Sequence, residues 1–234
     1  MTGRSYSTIA GRVARVREKM AEAAIKAGRR PEEITLVGVT KTQPAEAVRR
    51  LIEAGVTEIG ENRVQELLKK EPFLADLPHK THLIGHLQRN KAKYLPGHVD
   101  MVQSVDSEKT VQALAAAFKH AAVPLNVLIE VNIGEEANKS GVDQAGIEAL
   151  ADCIAQTPQL RLRGLMAIPP FVAGEAVRPY FAQMRQLFVD IKRKKMDNGT
   201  VNILSMGMSS DYEIAIQEGA TMVRVGTELF GPRG

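Results

Sequence analysis

The chain has 234 residues, a formal net charge of +4, 44% hydrophobic and 25% charged residues, and no tryptophan. With aromatics at only 4%, this is an ordinary globular composition whose core must rest on aliphatic side chains. The single Cys153 excludes an internal disulfide and a cysteine metal cluster. No apolar run reaches the ~18 residues of a membrane span, and the polar N-terminus lacks an apolar signal core, so a cytoplasmic protein is expected.

Residues 7–28 have the spacing of a helix. Ile9, Val13, Val16, Met20, Ala23 and Ala27 recur at threes and fours, and Gly28 is a good stop. This helix precedes the first strand and should cover the outside or bottom of the fold. Its basic face, Arg12, Arg15, Arg17 and Lys19, reads as solvated surface rather than a nucleic-acid contact.

Residues 34–41 form an apolar, β-branched run of strand length ending in Lys41, and Pro44 opens a helical pattern over 44–54. The alternation then repeats. Strands are expected at 56–60, 82–85, 101–105, 125–131, 162–168, 201–206 and 222–225. Helices are expected at 61–70, 87–94, 108–120, 144–155, through Tyr180 to Ile191, at 210–218, and from 226 to Phe230. A loop spans 134–141. Eight strand-then-helix units in about 230 residues match the arithmetic of a (β/α)₈ barrel, here one domain over 1–234 with an extra N-terminal helix. An open doubly wound sheet is the alternative.

In such folds chemistry collects at the carboxyl ends of the strands. Lys41 sits there. A partly desolvated amine can lose its proton near neutral pH and attack an aldehyde to form a Schiff base. A plain surface lysine is the competing reading.

The run 205–211, Ser-Met-Gly-Met-Ser-Ser-Asp, follows the seventh strand, and Arg224-Val225-Gly226-Thr227 follows from the eighth. Loops in these two positions often hold a phosphate. Glycine lets backbone N–H groups approach it, helix starts add a favourable dipole, and Ser209 and Thr227 add hydroxyls. A side chain at Gly226 would stand in the anion's path. Ser210 and Glu213 could instead form a capping box. Alternation points Arg224 into the barrel, where it needs a ligand atom or a neighbouring carboxylate.

Other signals are weaker. His82 and His86 bracket a strand end without a third ligand, so zinc is rejected. Lys192–Lys195 reads as a solvated basic helix end. Cys153 reads as an unreactive packed thiol. No Gly-x-x-x-x-Gly-Lys, Gly-x-Gly-x-x-Gly or Gly-x-Ser-x-Gly motif occurs, so the nucleotide and serine-hydrolase readings lose their usual support.

A lysine on strand one facing a phosphate site at strands seven and eight resembles the alanine-racemase-like barrel that binds pyridoxal 5′-phosphate (PLP). Within that group the chain is similar to the PLP homeostasis protein family. Matching stretches are VTKTQP (39–44), GENRVQE (60–66), HLIGHLQRNK (82–91), SVDS (104–107), NKSGV (138–142), GLMAIPP (164–170), SMGMSSDYEIAIQEG (205–219) and VRVGTELFG (223–231). Arg63 and Gln103 depart from the family's usual forms.

The resemblance implies that Lys41 carries PLP as a Schiff base. It implies that Ser209, Gly226 and Thr227 hold the phosphate, with Ser205 and Met208 in the same loop. Arg224 would lie near the pyridine nitrogen, and Asn62 and Met166 would line the cofactor. An arginine there favours an unprotonated nitrogen and a poorer electron sink. Racemases of this group add a β domain with a catalytic tyrosine, which a chain of this length is not expected to supply. The implied role is binding and supplying PLP, as a monomer, with PLP-dependent apoenzymes as partners and neither nucleic acid nor membrane. Established turnover is not implied. A racemase-like PLP enzyme and a Schiff-base aldolase are the alternatives.

Overall fold

The computed structural model describes residues 8–136, 140–194 and 199–231. Eight parallel strands close into a barrel in sequence order. They are β1 (Thr35–Val39), β2 (Glu58–Glu61), β3 (Lys80–Leu83), β4 (Met101–Val105), β5 (Leu125–Val131), β6 (Leu160–Ala167), β7 (Ile203–Ser205) and β8 (Met222–Val225). The barrel closes where β8 pairs with β1, with Val37 opposite Arg224 and Gly38 opposite Val225. The barrel expectation is therefore met.

Helices form the outer layer: α1 (Ile9–Lys26), α2 (Ala45–Glu53), α3 (Val64–Lys70), α4 (Glu108–Ala117), α5 (Ile147–Ala155), α6 (Arg178–Arg193), α7 (Tyr212–Gln217) and α8 (Thr227–Phe230). Their apolar stripes bury against outward-facing strand residues. Val48, Leu51 and Ile52 do this for α2, and Phe181, Met184, Phe188 and Ile191 for α6. A smaller cluster of Met101, Leu128 and Met166 fills the barrel's centre.

Several boundaries differ from the sequence reading. The segment after β3 is a 3₁₀ helix over Arg89–Tyr94. Its buried anchors, Leu87, Ala92 and Leu95, stand five and three apart and so make no α-helical stripe. The α3, α5 and α7 helices each start two or three residues later than expected. Strand β7 is only three residues long, and β6 begins two residues early, with a register shift opposite β5 between Val127 and Leu128.

Helix α1 is capped by the Thr8 hydroxyl, which accepts from Gly11 N. It packs outside the barrel against α7, α8 and α2. Its basic face is not simply solvated. Arg12 donates to Phe230 O (2.9 Å), Arg17 to Gly55 O (2.7 Å), and Lys19 reaches Glu213 and Glu228 (3.1 and 3.2 Å). In the other basic run Lys194 pairs with Glu148 and Asp152, while Lys195 lies outside the described residues. Cys153 is half-buried, and burial raises its thiol pKa.

Gly164 shows how tightly the strands meet. It has φ +152°, and a Cβ there would overlap the Ile203 carbonyl of β7. Gly164→Ala is expected to lower stability by roughly 3 kcal/mol or more, because the overlap is with backbone that cannot rotate away. Urea unfolding measures it; a loss below about 1 kcal/mol would mean that β6 and β7 are not packed as described.

Candidate functional site

Lys41 stands two residues beyond β1, in a turn rather than on the strand itself. The turn is pinned on both sides of it. Before it, Thr40 N donates to Gly60 O (2.9 Å) and Thr40 Oγ1 to Glu61 Oε1 (2.6 Å), while Lys70 Nζ donates to Thr40 O (2.7 Å). After it, Thr42 N donates to Glu66 Oε1 (2.5 Å), and Lys70 bonds both Glu61 and Glu66 at 2.7 Å. Thr42 has φ +65°, a conformation costing a β-branched residue about 1–3 kcal/mol, which these bonds hold in place. Glu61 is buried and its Oε2 has no partner, so burial raises its carboxyl pKa. Sequence reading missed this network. A glutamate inside the short β2 strand and a lysine closing α3 were its only traces. Lys41 itself is exposed, contrary to the partly desolvated amine expected from sequence.

Lys41 and Val39 share a depression with Gly226, Thr227 and Phe230. The structure therefore brings the strand-one lysine and the β8 loop together. Gly226 N donates to Ser209 Oγ (3.1 Å), so the β7 and β8 loops meet here and the glycine N–H orients the Ser209 hydroxyl. Thr227 is exposed at the start of α8. A Cβ on Gly226 would press on Val39 (3.2 Å to its Cβ), so the glycine serves the close approach of this loop to β1. Two expectations need correction. Helices α7 and α8 are six and four residues long, so first-turn N–H groups, rather than a long macrodipole, would meet an anion. The capping box is absent as well. Asp211, not Ser210, is the N-cap of α7, and it accepts from Met208 N (2.7 Å).

Arg224 points into the barrel and is 3% exposed. It donates from Nη1 to Ser205 Oγ (2.7 Å) and from Nη2 to Ala167 O (2.9 Å). Burial pulls its pKa down to about 10, against the pull of Glu130 and Asp211. Its hydrogen-bond partners are thus a hydroxyl and a carbonyl, while the carboxylate of Glu130 acts on it through charge. Met166 is fully buried one register step beside Ser205 and Glu130. Asn62 packs against Gly85 and shares a different depression with His86 and Lys91. His82 is buried between Glu58 and Gln103, and no group of three metal-ligating side chains occurs among the described residues.

The fold and this mouth define an alanine-racemase-type barrel: the family model described as the N-terminal domain of alanine racemase matches residues 13–234. A protein of Pseudomonas aeruginosa named pyridoxal phosphate homeostasis protein is 46% identical over 97% of this chain and 96% of its own. The protein of the same name in Aquifex aeolicus is 44% identical over 95% and 97%. The chain belongs to the pyridoxal phosphate homeostasis protein family. PipY of Synechococcus elongatus, solved with PLP bound, matches with TM-score 0.83 and 35% identity, covering 96% of this chain and all of that one. D-threonine aldolase of Filomicrobium marinum shares the fold at 17% identity (TM-score 0.71), this chain covering 59% of it.

Glu130 tests the polarity of the barrel interior. It is 5% exposed, takes a hydrogen bond from Ser140 (2.7 Å) and leaves Oε2 unpartnered. Burial raises its pKa above 4.5. The native state therefore holds a proton that the unfolded chain has already lost, and native stability falls as pH rises through that window. Relative to Glu130→Gln, the wild type should lose stability as pH rises above 4.5 in urea titrations. A relative gain with rising pH would contradict the buried carboxylate.

Proposed function

We propose that this protein binds PLP and takes part in its homeostasis, with Lys41 as the residue that carries the cofactor. The observation that carries this is the depression shared by Lys41, Gly226 and Thr227, with Ser209 hydrogen-bonded to Gly226 beside it. The donor set fits the group: one amine for an aldehyde, hydroxyl and backbone N–H donors for a phosphate, and a buried guanidinium for a ring nitrogen. When bound, PLP supplies an aldehyde that an amine captures reversibly with loss of water.

The chain's own residues then have separate tasks. The Glu61–Lys70–Glu66 network holds the Lys41 turn rigid, so the amine is presented at one place. Ser209 and Thr227 receive the phosphate beside Gly226, whose N–H orients the Ser209 hydroxyl. Arg224, a donor only, favours an unprotonated pyridine nitrogen. The described residues beside Lys41 in the depression include no carboxylate, imidazole or phenol to serve as its partner base. We therefore read the protein as a carrier that hands PLP to PLP-dependent apoenzymes, acting as a cytoplasmic monomer without amino-acid turnover. Nucleic acid is not invoked, because Arg12, Arg17 and Lys19 are engaged within the chain.

Borohydride reduction of the PLP-loaded protein, followed by peptide mapping, should place the label on Lys41. A label elsewhere would refute the assignment. Ser209→Ala should weaken PLP binding roughly 10- to 100-fold, the scale of a hydrogen bond to a charged group, and leave pyridoxal binding unchanged. Equal losses for both ligands would remove Ser209 from the phosphate site. Racemisation of alanine or serine above the free-PLP background, abolished by Lys41→Ala, would overturn the carrier reading.

A further inference from the structure

The barrel interior holds a continuous run of hydrogen bonds leading away from Arg224. Arg224 Nη1 donates to Ser205 Oγ (2.7 Å), and Ser205 Oγ donates to Gln103 Oε1 (2.7 Å). Gln103 Nε2 faces His82 Nδ1 (2.8 Å), and His82 Nε2 faces Glu58 Oε2 (3.2 Å). The run crosses the barrel through β8, β7, β4, β3 and β2. Arg224, Ser205, Gln103 and His82 are all at most 3% exposed. Glu58 ends the run in a polar depression at the amino ends of the strands, opposite the mouth.

Donor and acceptor chemistry gives this run one direction. A guanidinium only donates, and a carboxylate only accepts. Ser205 must accept from Arg224 and is left to donate to Gln103 Oε1. Gln103 then turns its amide N–H groups to His82 and to Met222 Sδ (3.2 Å). His82 must accept at Nδ1, so a neutral ring carries its proton on Nε2 and donates it to Glu58. The reversed amide would place a protonated Nδ1 against Gln103 and a bare Nε2 against the carboxylate. Only the first arrangement satisfies every atom with a neutral imidazole.

We propose that Glu58, His82 and Gln103 are positioning residues for Arg224, a one-way relay that fixes the guanidinium for the pyridine nitrogen of bound PLP. The proposal rests on the PLP reading. It means that a carboxylate at the closed end of the barrel affects how the ring is held at the open end. None of the three residues needs to touch the cofactor.

Two measurements test it. The first needs no cofactor. In ¹⁵N NMR of the unloaded protein near neutral pH, His82 should show an unprotonated Nδ1 and a protonated Nε2. A proton on Nδ1 overturns the relay. The second is a PLP titration followed by the visible band of the lysine-bound cofactor. Glu58→Ala and Gln103→Met should each weaken binding roughly two- to tenfold, the scale of one neutral hydrogen bond, and move the pH midpoint of the band. Lys80→Ala removes the other Glu58 contact (3.3 Å) without touching the relay, and should change neither. Wild-type affinity and midpoint in folded Glu58→Ala overturn the proposal, even if Gln103→Met fails to fold. Failure of the unaltered protein to bind PLP would sink the cofactor reading instead, leaving the His82 tautomer to be judged alone.

Discussion

The interior of this barrel is organised around one buried cation. A guanidinium inside a ring of strands is costly unless every N–H and its charge are answered. Arg224 is answered by the Ser205 hydroxyl and the Ala167 carbonyl, and at longer range by Glu130. Those partners explain why the strand interiors are not uniformly apolar. Aliphatic side chains fill the centre at Met101, Leu128 and Met166, while the polar residues are strung along one route. The arginine's hydrogen-bond partners are thereby neutral dipoles.

The second constraint is the turn that presents Lys41. An exposed lysine on a loose loop would sample many positions. Here the backbone on both sides of it is fastened to buried side chains of β2 and α3, and Thr42 is held at positive φ. Stiffness in the backbone beneath a free amine lowers the ordering cost of capturing a ligand. The same design appears at the β7 and β8 loops, where Ser209 and Gly226 hold one another.

Much of the fold was legible in the sequence. Apolar runs of strand length alternating with helical stripes placed all eight strands, and Lys41 and Arg224 stood out as charges at or within those runs. The boundaries were less legible, because β7 is short and the segment after β3 has anchors that fit no α-helical period. Partnerships among polar residues were not legible at all. Glu58, His82 and Gln103 sit on the successive strands β2, β3 and β4, and Lys70 reaches Glu61 from the end of α3, so only the packed fold brings these side chains together. The available clue was an ionisable or amide side chain on an otherwise apolar strand, which His82 and Gln103 both offered. Exposure also escaped the sequence: Lys41 was expected to be partly desolvated, yet its turn carries it clear of the strand.

The assignment of Lys41 as the PLP-holding residue is tested most directly by the visible absorption spectrum of the purified protein during PLP titration, with Lys41→Ala beside it. The expected result is a saturable band, distinct from that of free PLP, in the unaltered protein and its absence in a folded Lys41→Ala variant. An identical band in both proteins would contradict the account.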